Sequence, residues 1–167
     1  MDIKAFIFDM DGLLFDSERI VQRSWEIAGD ELGIPHMGDV IYHTLGMNRA
    51  GRNEYFRKYI REDFPFEEFG KLTRDNFWKI VDKEGLPLKK GAKELLAYGK
   101  SQGYKMAVAT SSSREYAMGN LIRAGIDSYF DSVVCGDMVK KAKPDPEIYQ
   151  KACESLGIQP EYCMAFE

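Results

Sequence analysis

The chain has 167 residues, 44% hydrophobic and 30% charged: enough apolar material for a sizeable core, too much for intrinsic disorder, and too short a chain for two full domains. Its 23 basic and 27 acidic side chains leave a formal charge of −4, which argues against a nucleic-acid binder, since such a protein needs basic patches to neutralise phosphates. No apolar run approaches the roughly 18 residues of a membrane span. Three cysteines without a C-x-x-C pair support neither a disulfide framework nor a zinc site. The N-terminus carries no basic and apolar leader, so a cytoplasmic protein with reduced thiols is expected, with a monomer favoured.

Residues 4 to 10, Lys-Ala-Phe-Ile-Phe-Asp-Met, read as a strand buried on both faces, ending in Asp9-Met-Asp11-Gly12. Asp16-Ser17-Glu18 offers a hinge and a helix N-cap, and a helix is expected over about 17 to 32, where Ile20, Trp25, Ala28 and Leu32 recur at helical spacing. From about 38 to 84 the pattern stays helical, with breaks at Gly46, at Asp63-Phe-Pro65 and at Glu84-Gly-Leu-Pro87. Trp25, Trp78 and the Phe-rich stretch from 56 to 69 are expected to form the core of these helices. His36 and His43 have no partner at metal-ligand spacing and are expected at the surface.

After Pro87, helix and strand alternate. Helices are expected near 91 to 102, 114 to 124 and 146 to 156, and strands at Lys105–Thr110, Ser132–Gly136 and Cys163–Phe166. The last is read as buried. This alternation indicates an α/β fold, a doubly wound parallel sheet with right-handed crossovers. Close to a hundred residues separate the first two strands, where a strand–helix–strand unit needs about 30. The excess implies an inserted helical subdomain, giving a sheet domain of 1–15 and 86–167 and a helical cap of 16–85. Ligands of open parallel sheets bind at the carboxyl ends of the strands, so the insertion is expected to cover the site.

Three strand ends then supply polar residues to one crevice: Asp9 and Asp11, Thr110 and Ser111, and Lys143 from the loop after the third strand. Each type suits phosphoryl transfer. One carboxylate can attack phosphorus and form an aspartyl-phosphate, and a second can pass the proton to the leaving oxygen and take one from the incoming oxygen. Hydroxyls and N–H groups at a helix N-terminus can hold phosphate oxygens, and a lysine offsets the negative charge of the transition state. Clustered carboxylates beside a phosphate call for a hard cation bound by oxygens, Mg²⁺ above all.

Phe8-Asp9-Met-Asp11-Gly12-Leu-Leu-Phe-Asp16-Ser17-Glu18, then Ala109-Thr110-Ser111-Ser112, then Lys143-Pro144-Asp-Pro146-Glu-Ile-Tyr149 resemble the first three motifs of the haloacid dehalogenase superfamily. The branch most similar carries a helical cap after the first motif and includes β-phosphoglucomutase and sugar-phosphate and phosphoglycolate phosphatases. The resemblance implies Asp9 as nucleophile and metal ligand, and Asp11 as the acid–base residue, binding metal through its main-chain carbonyl. It also implies Thr110, Ser111, Ser112 and Gly12 around the phosphoryl group, Lys143 as charge balance, and Mg²⁺ as cofactor. Phe166-Glu167 resembles the beginning of the fourth motif, whose acids complete the metal site. On that resemblance the chain is expected to be a fragment lacking the following acid, with impaired metal binding and turnover.

Leu45-Gly46-Met47-Asn48-Arg49 resembles the family segment that brings an arginine over the substrate, so Arg49 is the candidate grip on a distal group, in the two-pronged manner of a guanidinium. Arg114 is a further candidate, and Asp137 is expected to support Lys143 or shape a turn. Val21 and Leu45 stand where the sugar-phosphate mutases usually carry a His and a Lys. The expectation is therefore a phosphatase of small phosphorylated metabolites, with a phosphomutase next and dehalogenation third. A receiver-like phospho-accepting domain, the alternative of a different class, fits poorly with Asp9 on the first strand and a long insertion before Thr110.

Overall fold

Four short apolar runs become strands in the computed structural model, which describes residues 2–44, 47 and 49–167 and, at Arg49 and Ala50, the backbone alone. They are β1 (Ala5–Phe8), β2 (Lys105–Thr110), β3 (Ser132–Cys135) and β4 (Cys163–Phe166). All pair in parallel, in the order β3-β2-β1-β4. The helices are α1 (Ser17–Glu31), α2 (Met37–Thr44), α3 (Arg49–Tyr59), α4 (Phe66–Glu84), α5 (Ala92–Ser101), α6 (Arg114–Arg123) and α7 (Glu147–Leu156). Among the described residues no helix is long and apolar enough to cross a membrane.

The strand order produces the double winding. The steps from β1 to β2 and from β2 to β3 move one way across the sheet, while the step from β3 to β4 returns past β1. With right-handed crossovers, α5 and α6 then cover one face and α7 the other. Alternation along the strands agrees. Ile7, Ala107, Ala109 and Val134 point to the face where Ile148, Ala152 and Cys153 of α7 pack. Phe6, Phe8, Met106 and Val108 fill the opposite face. There a Cβ on Gly99 of α5 would lie 2.8 Å from the Met106 sulfur, and Phe6 stacks on Tyr104 at 4.2 Å.

Three expectations about strands change. The first strand covers Ala5–Phe8, not 4 to 10: beyond Phe8 the N–H of Asp9 still bonds Phe166, but the carbonyl of Met10 already accepts from Leu14 and Phe15 in a turn. The last strand is not buried. Among the described residues β4 takes an edge position beside β1; Met164 and Ala165, on opposite faces, are exposed, and Cys163 and Phe166 are half-buried. The third strand also stops one residue early, at Cys135, and Gly136 opens a short 3₁₀ turn, Gly136–Met138.

The chain divides into two compact units, Met1–Ser17 with Gly85–Glu167, and Glu18–Glu84. In the first unit the two segments adjoining the division are paired. Phe15 bridges Leu88 in antiparallel fashion, the Asp16 N–H bonds Pro87, and Lys89 lies 3.1 Å from Asp16. The second unit is all helix. Its core joins Trp25 and Ala28 of α1, Met37, Val40 and Ile41 of α2, Phe56 of α3, Phe64 and Phe69. The rings of Trp25, Phe56, Phe64 and Phe69 meet mostly edge-on at 4.7 to 5.9 Å, the arrangement the ring quadrupole favours. Trp78, expected in this core, is 40% exposed. On α4 the buried positions are Phe69, Asn76, Ile80 and Val81, and residue 78 falls off that stripe. Arg23 of α1 grips the Glu84 carboxylate with two guanidinium nitrogens, at 2.7 and 2.9 Å.

Candidate active site

The register of the sheet decides which side chains can meet. Phe8 is level with Phe166 across the β1–β4 pair, so the next residues, Asp9 and Glu167, leave neighbouring strands at the same height. Side chains alternate between faces, so Asp9 follows Ile7 to the α7 side. Lys143 lies in the loop just before α7 and arrives on that same side. Its ammonium donates to Asp9 Oδ1 at 2.7 Å and to the Glu167 carboxylate at 3.1 and 3.2 Å. The Lys143 and Asp9 side chains are each 17% exposed, against 59% for Glu167. The Lys143–Asp9 pair is therefore largely shielded from water, and Glu167 gives Lys143 a second carboxylate partner on the solvent-facing side.

The loop that carries Lys143 is fastened by Glu147, the first residue of α7, whose carboxylate accepts the N–H groups of Lys140 and Lys141 at 3.0 and 2.9 Å. Those two N–H donors hold the Glu147 carboxyl below the usual range. The Lys143 ammonium also lies 5.0 Å from the Tyr149 ring centre, a cation–π contact from the first turn of α7.

Asp11 sits in the tight turn after β1, where Gly12 adopts φ 81°, a left-handed conformation that glycine takes without a side-chain clash. Its carboxylate is held by two hydroxyls from the segment after β2. Ser112 donates to Oδ2 at 2.8 Å, and Tyr116 donates to Oδ1 at 3.1 Å. Burial first, then the charge of Asp11 and the hydrogen bond to it, push the Tyr116 phenol above its ordinary range, so it remains a proton donor throughout the working range of an enzyme.

The residues expected around a phosphoryl group are not alike. Thr110 is buried at the end of β2, and its hydroxyl accepts the Ser112 N–H at 3.1 Å. Ser111 is exposed. The Gly12 N–H donates to Phe15 at 2.9 Å. Arg114 opens α6; its N–H donates to Asp137 at 2.9 Å and its guanidinium reaches the Val133 carbonyl within β3, two residues short of the strand's carboxyl end. Asp137 thus tethers the first residue of α6 to the turn after β3. The loop after β2 is pressed close to that turn: a Cβ on Gly136 would lie 2.3 Å from the Ser111 carbonyl oxygen, so only glycine fits. Leu45, Gly46, Asn48 and the side chain of Arg49 lie outside the described residues.

Tyr116 and Glu147 escape the sequence reading: Tyr116 lies outside the quoted motifs, and Glu147 lies within the third one with no role assigned to it. The only hint is position: each stands in the first turn of a helix that follows a strand end. Among the described residues, no three His, Cys, Asp or Glu side chains gather as a metal site. Two carboxylates, Asp9 and Glu167, do converge on a single cation, the Lys143 ammonium. All-oxygen donors of this kind suit a hard ion, and Mg²⁺ characteristically takes one or two carboxylates and fills its shell with water and phosphate oxygens. The residues present fit that ion.

A family model described as haloacid dehalogenase-like hydrolase matches residues 3–167. The chain is 33% identical to a phosphorylated carbohydrates phosphatase of Thermotoga maritima, over 99% of its own length and 76% of that protein. It is also 33% identical to the Bacillus subtilis protein YhcW, provisionally assigned as a phosphatase, over 99% of its length and 74% of that protein. Among solved structures, a protein from Thermotoga maritima provisionally assigned as a β-phosphoglucomutase superposes with a TM-score of 0.80 at 31% identity, covering 98% of this chain and 76% of the other.

Proposed function

The chain belongs to the haloacid dehalogenase-like hydrolase family, and from that premise we propose that it is a Mg²⁺-dependent phosphatase of small phosphorylated carbohydrates, working through an aspartyl-phosphate on Asp9. The observation that carries this reading is the Lys143–Asp9 contact of 2.7 Å, with Asp11 two residues on and already held by hydroxyl donors. The likeness to the phosphorylated carbohydrates phosphatase supports the substrate class.

The steps follow from the side chains. An Asp9 carboxylate oxygen attacks phosphorus, forming the O–P bond of an aspartyl-phosphate as the bond to the sugar oxygen breaks. Asp11, protonated, gives its proton to that leaving oxygen and is left as the carboxylate. It then takes a proton from water as the water oxygen attacks phosphorus, which releases inorganic phosphate and restores both acids. Lys143, already beside Asp9, offsets the charge on the transferring group, and Ser111, at the exposed end of β2, offers a hydroxyl to its oxygens. Asp9, Glu167 and the Asp11 main-chain carbonyl would hold the Mg²⁺, whose charge, when it is bound, offsets that of phosphate and nucleophile.

A second reading, transfer of the phosphoryl group back to another sugar hydroxyl, is favoured by the likeness to the provisionally assigned β-phosphoglucomutase. Phosphate release from a panel of sugar phosphates in Mg²⁺, run beside an assay for glucose 6-phosphate formed from β-glucose 1-phosphate, separates the two. Phosphate release is expected, falling about 10²- to 10³-fold in Lys143→Met, the scale of losing one group that stabilises the transition-state charge. Isomerisation without phosphate release would replace the phosphatase reading with the mutase one.

A further inference from the structure

We propose that Tyr116 is a positioning residue for the proton transfer at Asp11: together with Ser112 it fixes the plane of the Asp11 carboxylate. This rests on the reading of Asp11 as the proton donor to the leaving oxygen.

The two acids of the first strand end have different partners. Asp9 meets an ammonium, which suits a nucleophile that stays charged. Asp11 meets two hydroxyls, one on each oxygen. A hydroxyl can donate or accept, so the pair can serve both states of Asp11. They donate to the carboxylate, and either can turn to accept from the acid once it holds a proton. An ammonium offers no acceptor and could not do the same.

The last torsion of an aspartate is broad and roughly two-fold, so a carboxylate held at one oxygen alone can still swing. Donors on both oxygens remove that freedom. The two donors are also tied to each other through the backbone. Ser113, between them, caps α6 by accepting the Tyr116 N–H, and the Asn120 amide donates to the Tyr116 carbonyl at 2.9 Å. Tyr116 stands in the first turn of α6, where side chains lean back toward the helix N-terminus, and its phenol reaches Asp11 across 105 residues of sequence. Ser112 bonds Gly136 through its carbonyl at 2.9 Å, which anchors its end of the clamp to the turn after β3.

The test uses the dependence on the leaving group. Protonation matters when the departing oxygen is a sugar alkoxide and matters little when it is a nitrophenolate, whereas a merely structural lesion lowers both rates together. The comparison is made on kcat/KM, which ends at the first irreversible step and so reads departure of the leaving group alone. In Tyr116→Phe, which keeps the ring, kcat/KM for a sugar phosphate is expected to fall about tenfold, the scale of one hydrogen bond to a charged group. For p-nitrophenyl phosphate the change should stay within about twofold, which also shows that the fold is intact. Asp11→Asn, measured in parallel, should show the same selectivity and a larger loss. Equal losses for both esters in Tyr116→Phe, or no loss for either, would overturn the role of Tyr116 while the selective loss in Asp11→Asn keeps the reading of Asp11. Absence of selectivity in Asp11→Asn itself would overturn both.

Discussion

The two units of the chain are stabilised by different means. In the helical unit, Glu18–Glu84, order comes from a cluster of rings and aliphatic side chains, with Trp25, Phe56, Phe64 and Phe69 at its centre, and charged groups pair outside it, as Arg23 does with Glu84. In the sheet unit the strands are short and the central ones nearly all buried, and the charged groups that matter converge from residues far apart in sequence: Lys143 reaches Asp9 across 134 residues. A core of local contacts yields a stable body, and a parallel sheet gathers chemistry at its strand ends. Substitutions in the first region should therefore read out as stability, and those in the second as turnover.

The largest effect expected is in the sheet unit. Asp9→Asn removes the nucleophile and should lower turnover by at least about 10³-fold, measured as phosphate release, with the melting temperature little changed or raised, since Lys143 keeps Glu167. A stable and active Asp9→Asn would break the comparison at its centre. In the helical unit, Phe56→Ala opens a cavity among four aromatic rings and should cost about 3–5 kcal/mol by denaturant unfolding, while the rate per folded molecule holds. Gly136→Ala sharpens the contrast, because there a strand-end loop is also a packing contact. The added methyl meets the Ser111 carbonyl, so a cost of about 1–3 kcal/mol should come with a loss of turnover in molecules that remain folded.

The smallest effect is in the response to acid. Burial raises the Asp131 carboxyl, but the hydrogen bond from Lys105, the Met106 N–H and the charges of Lys105 and Lys100 outweigh it, leaving Asp131 below the usual range. Glu147 is lowered by its two N–H donors. A folded-state value below the unfolded one gives stability that is complete at neutral pH and lost as pH falls below about 4 through the folded values. Thermal melts should therefore decline in that window, and Asp131→Asn should flatten the decline. Both acids belong to the sheet unit, so a decline unchanged in variants of Asp131 and Glu147 would show that neither sets the acid sensitivity.

Much of this was legible in the chain. The apolar runs around Phe6 to Phe8 and Met106 to Ala109 announce strands buried on both faces, and the hundred-residue gap between them announces the helical insertion. What stayed hidden depends on contacts between distant segments. Tyr116 and Glu147 are ordinary helix residues until folding sets one beside Asp11 and the other under the Lys143 loop. The contact of the Arg114 guanidinium with the Val133 carbonyl is likewise set only by folding. The position of β4 beside β1 is set by strand order, which an apolar pattern does not encode, and Trp78 lies beside a buried stripe whose phase only the packed helix sets.

The central claim is that Asp9 carries the phosphoryl group. Rapid acid quench of the protein turning over a sugar phosphate, followed by borohydride reduction and peptide mass analysis, reads it directly. Asp9 is expected to be converted to homoserine, and neither Asp11 nor any residue of an Asp9→Asn variant. Phosphate release at full rate with Asp9 unmodified would contradict it.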